Sequence, residues 1–327
     1  MSRAHSARIA RDDVVRLSQL RSLPNLAKLS LITGLMTGLT WLAWHTEEAP
    51  LRWAAYVALG YLWMSIVTFM HDAGHNTLWP RRWLNTAFGV VAMLPLFASF
   101  IAFKQDHYEH HRFNRSPRDP DAFTMGKRGA LDFVLFYAYM AFGAVLSLVH
   151  FNLLYPIARF NRRQWAMHLF ETGLKVVVYW LALGYAARHG VLGRALEVWL
   201  WPVFFFSLFN SMRFMAEHYG TPWNAGQMSG TRTITSNRLH AFFWNNINWH
   251  IGHHVYPSVP WYNLVELHHL LLPQIEASGA LVDKSYVGVC WRALRDGPET
   301  ETRLARALAK RRVAEHGELK PALQTPL

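Results

Sequence analysis

Apolar residues in this chain gather into long unbroken runs instead of alternating or recurring at helical spacing. Six runs stand out, at residues 26–44, 51–70, 83–103, 131–154, 168–187 and 195–216. A bilayer core takes about 20 apolar residues per helix, so the pattern predicts an all-α integral membrane protein. Four runs are expected to cross: 26–44, 51–70, 168–187 and 195–216. Pro95 sits in the middle of the third run, where a missing N–H and a fixed φ favour a re-entrant or interfacial segment. The fourth run is followed by Arg159, Arg162 and Arg163, a cytoplasmic signature, so it too is expected not to cross fully. The expected architecture is four transmembrane helices with interfacial or re-entrant helices and a cytoplasmic histidine-rich cap.

No repeat or Pro/Gly/Ser-rich linker divides the chain, which reads as one membrane domain at 26–272. A basic cytoplasmic leader (1–25) precedes it and a charged cytoplasmic tail (273–327) follows. Of the 327 residues, 52% are hydrophobic and 17% charged, and the net charge is +12. Nucleic-acid binding is one source of such a charge, but positive-inside topology accounts better for a chain dominated by apolar runs. A single cysteine, Cys290, excludes an intrachain disulfide and offers no Cys-His metal spacing. The leader carries Arg3, Arg8, Arg11, Arg16 and Arg21 like a transit peptide, yet Asp12 and Asp13 argue against one.

Three histidine clusters carry the chemistry: His71-Asp72-Ala73-Gly74-His75, His107-Tyr108-Glu109-His110-His111 and His250-Ile251-Gly252-His253-His254. Positions three and four apart share a helix face, so each box can turn two or three imidazoles toward a common point. Eight such ligands exceed what one tetrahedral or octahedral ion uses, which points to two metals. Imidazole suits iron, zinc, copper and nickel alike. A carboxylate-bridged bundle needs two Glu-x-x-His motifs, whereas only Glu266-x-x-His269 is present, and the zinc-protease motif is missing. If every apolar run crossed, the second box would face away from the first, so the topology above is also what a shared site demands.

His218, at the end of the last span, is a ninth candidate ligand. Arg213 and Glu217, four residues apart, can pair and orient the site from behind; Asp72 can hold the far nitrogen of a ligand imidazole. His45, His150, His168, His268 and His269 are expected to be structural, with His240 left open.

These motifs resemble the membrane-bound fatty acid desaturases and their hydroxylase and ketolase relatives. The matching stretches are His71 to Asn76, the second box with Arg118-Asp119-Pro120-Asp121, and Asn248 to Trp261, within a coverage of about residues 50–272. The resemblance implies two iron ions held by His71, His75, His107, His110, His111, His250, His253 and His254. The family's additional histidine is most simply placed at His218. It further implies dioxygen as co-substrate and a long acyl chain, presented as a membrane lipid or on an acyl carrier, as the group that loses hydrogen.

Three residues within the first box resemble acyl-lipid desaturases and carotenoid ketolases more than acyl-CoA types. The third box begins with His250, not glutamine, unlike many front-end desaturases. No His-Pro-Gly-Gly segment is present, so electrons are expected from a separate ferredoxin, cytochrome b5 or similar carrier. Hydroxylation or ketolation of a lipid or carotenoid is the alternative on the same scaffold, and the 14% aromatic content suits a polyene as well as a saturated chain. Metal transport is a distant third, because transport sites call for ligands near mid-membrane.

Overall fold

The computed structural model describes residues 9–116, 118–120 and 130–299; the expected tail from residue 300 on, the first eight residues and Asp121 lie outside the described residues. In chain order the helices are α1 (Arg11–Leu17), α2 (Ser22–His45), α3 (Ala49–Gly74), α4 (Arg82–Met93), α5 (Phe100–Phe113), α6 (Ala130–Val149), α7 (Tyr155–Arg159), α8 (Arg162–Arg188) and α9 (Leu192–His218). Short elements follow: α10 (Gly226–Ser229), β1 (Arg232–Ile234), α11 (Arg238–Phe243), α12 (His250–Val255), α13 (Leu264–Ser278), β2 (Leu281–Asp283) and α14 (Tyr286–Asp296).

Four helices, α2, α3, α8 and α9, are long and apolar enough to cross a bilayer. They coincide with the four runs expected to cross. At 24 to 27 residues each they reach roughly 36–40 Å at 1.5 Å per residue, more than the ~30 Å hydrocarbon layer. With the family match reported below, they make this a multi-pass membrane protein. Helix α3 is the most enclosed and packs on α9. A Cβ on Gly60 would lie 2.9 Å from both the Pro202 carbonyl oxygen and the Phe206 nitrogen, so glycine is what lets these two backbones approach.

The remaining runs bend. Helices α4 and α5 meet at 109° through a 3₁₀ turn at Leu94–Leu96, and the run from 133 to 159 bends by 99°. The tip of the first bend exposes carbonyls that a helix would have satisfied. Tyr179 of α8 donates to Leu94 O (3.0 Å), Trp199 of α9 to Pro95 O (2.8 Å) and Asn152 to Phe97 O (2.8 Å). Irregular backbone at this depth survives only with such partners. At the base of α5, Glu171 of α8 accepts from Ser99 Oγ (2.7 Å) and from the backbone N–H of Phe100 (2.6 Å) and Ile101 (3.3 Å). A carboxylate thus caps α5 from a neighbouring helix.

The bend returns the second box to the bundle end that carries the first. There α10 to α13 form a cap, with Leu17, Ile251, Val259, Leu264, Leu267, Leu271 and Ile275 as its core. The parallel pair β1–β2 ties the segment after α9 to the start of the expected tail. From there α14 packs back on α9.

Candidate metal centre

All nine expected histidines converge at that end, on four elements. His71 lies in the last turn of α3 and His75 caps it. His107, His110 and His111 end α5, His218 ends α9, and His250, His253 and His254 occupy α12. Eight are buried and His75 partly so.

The boxes do not each address a single point; they divide between two. Ligand atoms of His71, His75, His107, His111 and His253 lie within 4.8 Å of one another. A second cluster holds His110, His218 and His254, and a third, sharing His218, adds His250 and Glu217. Helical spacing explains the division. In the second box the i, i+4 pair His107/His111 faces the first centre, while His110, 100° round the helix from His111, faces the second. The third box reverses the assignment: His250/His254 face the second centre and His253 the first.

The contacts between rings test whether metal fits. Nε2 of His107 lies 2.9 Å from Nε2 of His75 and 3.1 Å from that of His111, which lies 3.1 Å from Nε2 of His253. On the other side, Nε2 of His250 is 3.2 Å from Nε2 of His218 and 3.1 Å from that of His254. One imidazole nitrogen either donates or accepts a single hydrogen bond, directed outward in its ring plane, so it cannot serve two such neighbours. Donors at right angles about an ion at ~2.1 Å stand ~3.0 Å apart. Nε2 of His71 and Oε1 of Glu217 are buried without a hydrogen-bond partner. The donor set fits two metal ions.

Burial holds His250, His253 and His254 well below the usual imidazole range, the neighbouring rings adding to it. Burial, helped by Lys104, brings His75 down to about 3. Neutral rings at pH 7 are the form that binds metal.

Behind the rings stand carboxylates and amides. Asp72 Oδ1 lies 3.4 Å from His71 Nδ1, and Arg213 Nε lies 3.3 Å from Glu217 Oε2, which is itself 3.4 Å from His250 Nε2. Sequence reasoning missed three others. Asp119 accepts from His110 Nδ1 (2.9 Å) and from the Arg115 N–H (2.7 Å); its place in the Arg-Asp-Pro-Asp stretch, eight residues past the box, was the available signal. Gln227 accepts from His254 Nδ1 (3.0 Å) and Asn245 donates to Asp72 (2.9 Å), and neither has a sequence signature.

His240 is placed elsewhere, beside Tyr61 OH (3.1 Å), and His45, His168 and His268 also lie outside the clusters. His150 donates to Asp106 (2.8 Å) and lines a cavity of about 430 Å³ that opens on His71, His107, His110, His218 and His250. A second, apolar cavity of about 260 Å³ shares Val67, Met70, Phe103, Ser147, Phe151 and Asn210 with it. Together they lead from the histidines into the bundle between α3, α6 and α9.

Comparison with known proteins gives a consistent assignment. The family described as Fatty acid desaturase matches residues 49–286. An sn-1 oleoyl-lipid 12-desaturase of Arthrospira platensis is 25% identical over 258 residues, covering 72% of each chain. The corresponding enzyme of Synechocystis sp. is 25% identical over 249 residues (69% of this chain, 68% of its own). A chloroplastic omega-6 fatty acid desaturase of Spinacia oleracea is 24% identical over 245 residues (68% of this chain); the aligned region spans about half of that protein, 52%.

Proposed function

The chain belongs to the fatty acid desaturase family and is an oxidoreductase of that kind, and on that premise we propose that it is a di-iron enzyme placing a double bond in a long acyl chain carried on a membrane lipid. The observation that carries the reading is the pairing of two histidine clusters with an apolar cavity that begins at their rings and runs into the bundle. His71, His75, His107, His111 and His253 would hold one iron, and His110, His218, His250 and His254 the other. Two irons bound there would supply, with dioxygen and external electrons, the oxidising power for removing two hydrogens from an unactivated carbon pair.

The chain's own residues do the rest. Met70, Phe103, Phe151 and Phe214 wall the cavity and keep water from the reacting carbons. Because the walls are fixed by α3, α5 and α9, the acyl chain is presented in one orientation. Asp119 and Gln227, each bonded to a ring nitrogen away from the centre, keep His110 and His254 aimed inward. The lipid-linked substrate is supported by the names of the Arthrospira platensis and Synechocystis sp. relatives, both oleoyl-lipid desaturases. We further propose that the termini and boxes face the cytoplasm; Arg159, which lies 3.9 Å from Glu109 of the second box, and the nearby Arg162 and Arg163 support this, and such a basic face would steer an acidic ferredoxin or similar carrier. The remaining boundaries, a leader to 25 and a tail from 273, belong to this proposal.

The direct test is metal analysis of protein purified under anaerobic iron supply. Two irons per chain, falling in His107→Ala and His253→Ala variants, support the reading; a wild-type chain that takes none overturns it.

A further inference from the structure

Lys28, on the first span and 43 residues before the first box, is buried with its ammonium enclosed by aromatic rings. Its Nζ stands 4.1 Å from the centroid of Trp261, 4.6 Å from Phe242 and 5.4 Å from Phe69. Such faces stabilise a desolvated cation. The same Nζ donates to the Phe242 carbonyl and to Asn245 Oδ1, the latter at 2.5 Å. Asn245 then donates from Nδ2 to Asp72 Oδ2 (2.9 Å), and the other oxygen of Asp72 lies 3.4 Å from Nδ1 of His71. Lys28, Asn245, Asp72 and His71 are all at least 95% buried.

Each link dictates the next. The lysine has donors only, so it turns the Asn245 side chain with oxygen toward itself. The amide nitrogen must then point at Asp72. Asn245 sits at φ +51°, a left-handed conformation that asparagine tolerates better than most residues, so its backbone is shaped to aim the side chain into this gap. The Asp72 carboxylate, held by that donor, is fixed against the outer nitrogen of His71, whose Nε2 faces the first cluster without a partner.

We propose that Lys28 and Asn245 are positioning residues for the metal centre: the aromatic-caged cation of the first span sets, through Asn245 and Asp72, the orientation of the His71 imidazole. The proposal rests on the reading of His71 as a ligand. It explains why Trp261, in the Pro260-Trp261 pair that follows the third box, faces the first span: it is a wall of the cage, held by its N–H donating to Asn25 Oδ1 at 2.7 Å.

The test is Asn245→Asp. This variant keeps the acceptor for Lys28 and suits the left-handed backbone, but removes the donor to Asp72 and sets a second carboxylate against it. Full-length protein in detergent is titrated with cobalt(II), whose absorption spectrum reports nitrogen ligands, and its melting temperature is measured alongside. The relay predicts a folded protein that binds one cobalt as the wild type does and the other about 10–100-fold more weakly, with a changed spectrum. Lys28→Met, which keeps an apolar chain for the three rings, gives the same reading and carries the test if the aspartate variant does not purify. A purely structural role for Lys28 would lower melting and leave both cobalt affinities and the spectrum unchanged, and that result overturns the proposal. Wild-type protein with no histidine-bound cobalt would instead remove the metal-centre reading on which the relay rests.

Discussion

Removing Glu171 would expose how the second histidine box is held. Its carboxylate accepts three hydrogen bonds at 2.6 to 3.3 Å from the start of α5, and Lys175 Nζ lies 3.2 Å away in a pair whose side chains are 1% and 0% exposed. Glu171→Ala leaves two backbone N–H groups without their acceptor and a cation buried without its counter-charge. Breaking a buried pair from one side costs about 3–5 kcal/mol. Adding Lys175→Met removes the stranded cation, so the double variant should regain at least ~1 kcal/mol over Glu171→Ala alone, the negative coupling expected of a buried pair in contact. The assay is reversible unfolding of the detergent-solubilised protein by SDS titration, followed by circular dichroism, for the wild type, both single variants and the double variant. A loss under ~1 kcal/mol for Glu171→Ala, or a double variant no more stable than Glu171→Ala alone, would refute the argument that this carboxylate, paired with Lys175, seats α5.

Other consequences follow from the same contacts. Gly60→Ala puts a methyl group 2.9 Å from two backbone atoms of α9, which cannot yield as a side chain can; a destabilisation of about 1–3 kcal/mol is expected in the same unfolding assay. The metal-free protein should weaken in acid. His250, His253 and His254 are depressed below the ordinary 6.5 and His75 reaches about 3, so as pH falls below 6.5 the unfolded chain takes protons that the folded one refuses. Stability from these groups is therefore level above pH ~6.5 and falls below it, by up to ~1.4 kcal/mol per pH unit for each. Melting of apoprotein at pH 7.5, 6.5 and 5.5 checks this; a curve flat down to pH 5.5 would contradict it. His45→Ala, at the far end of α2 and hydrogen-bonded within its own helix turn to Trp41 O, should keep both metals, whereas His110→Ala should lose one in elemental analysis.

The long apolar runs made the four spans legible, and Pro95 together with the need for the second box to rejoin the first marked the bend between α4 and α5. Hydropathy sees the spans because each is a property of one continuous stretch; the bend needed the proline and the shared site as well, since 83–103 is as apolar as a span. The division of the boxes between two centres was harder to read. Spacing shows that His107 and His111 share a face, but which centre His110 or His253 turns to depends on how α5 and α12 are rotated against each other. The supporting groups were hidden for a related reason. Glu171 and Ser99 are 72 residues apart, Asn245 and Asp72 173 apart, and Lys28 and Asn245 217 apart. A lone buried lysine or asparagine has no local pattern that betrays its partner. His150 was expected to be structural, and its place on the cavity wall comes from the bend within α6 after Gly143, which no motif in the sequence announces.

Mass spectrometry of lipids from a host expressing this chain with a compatible reductase, beside a His107→Ala, His253→Ala control, tests the central claim most directly. A lipid-linked acyl chain lighter by two hydrogens, formed only by the wild type, is the predicted result. A product heavier by one oxygen, or one found only on a polyene and never on an acyl chain, would contradict it.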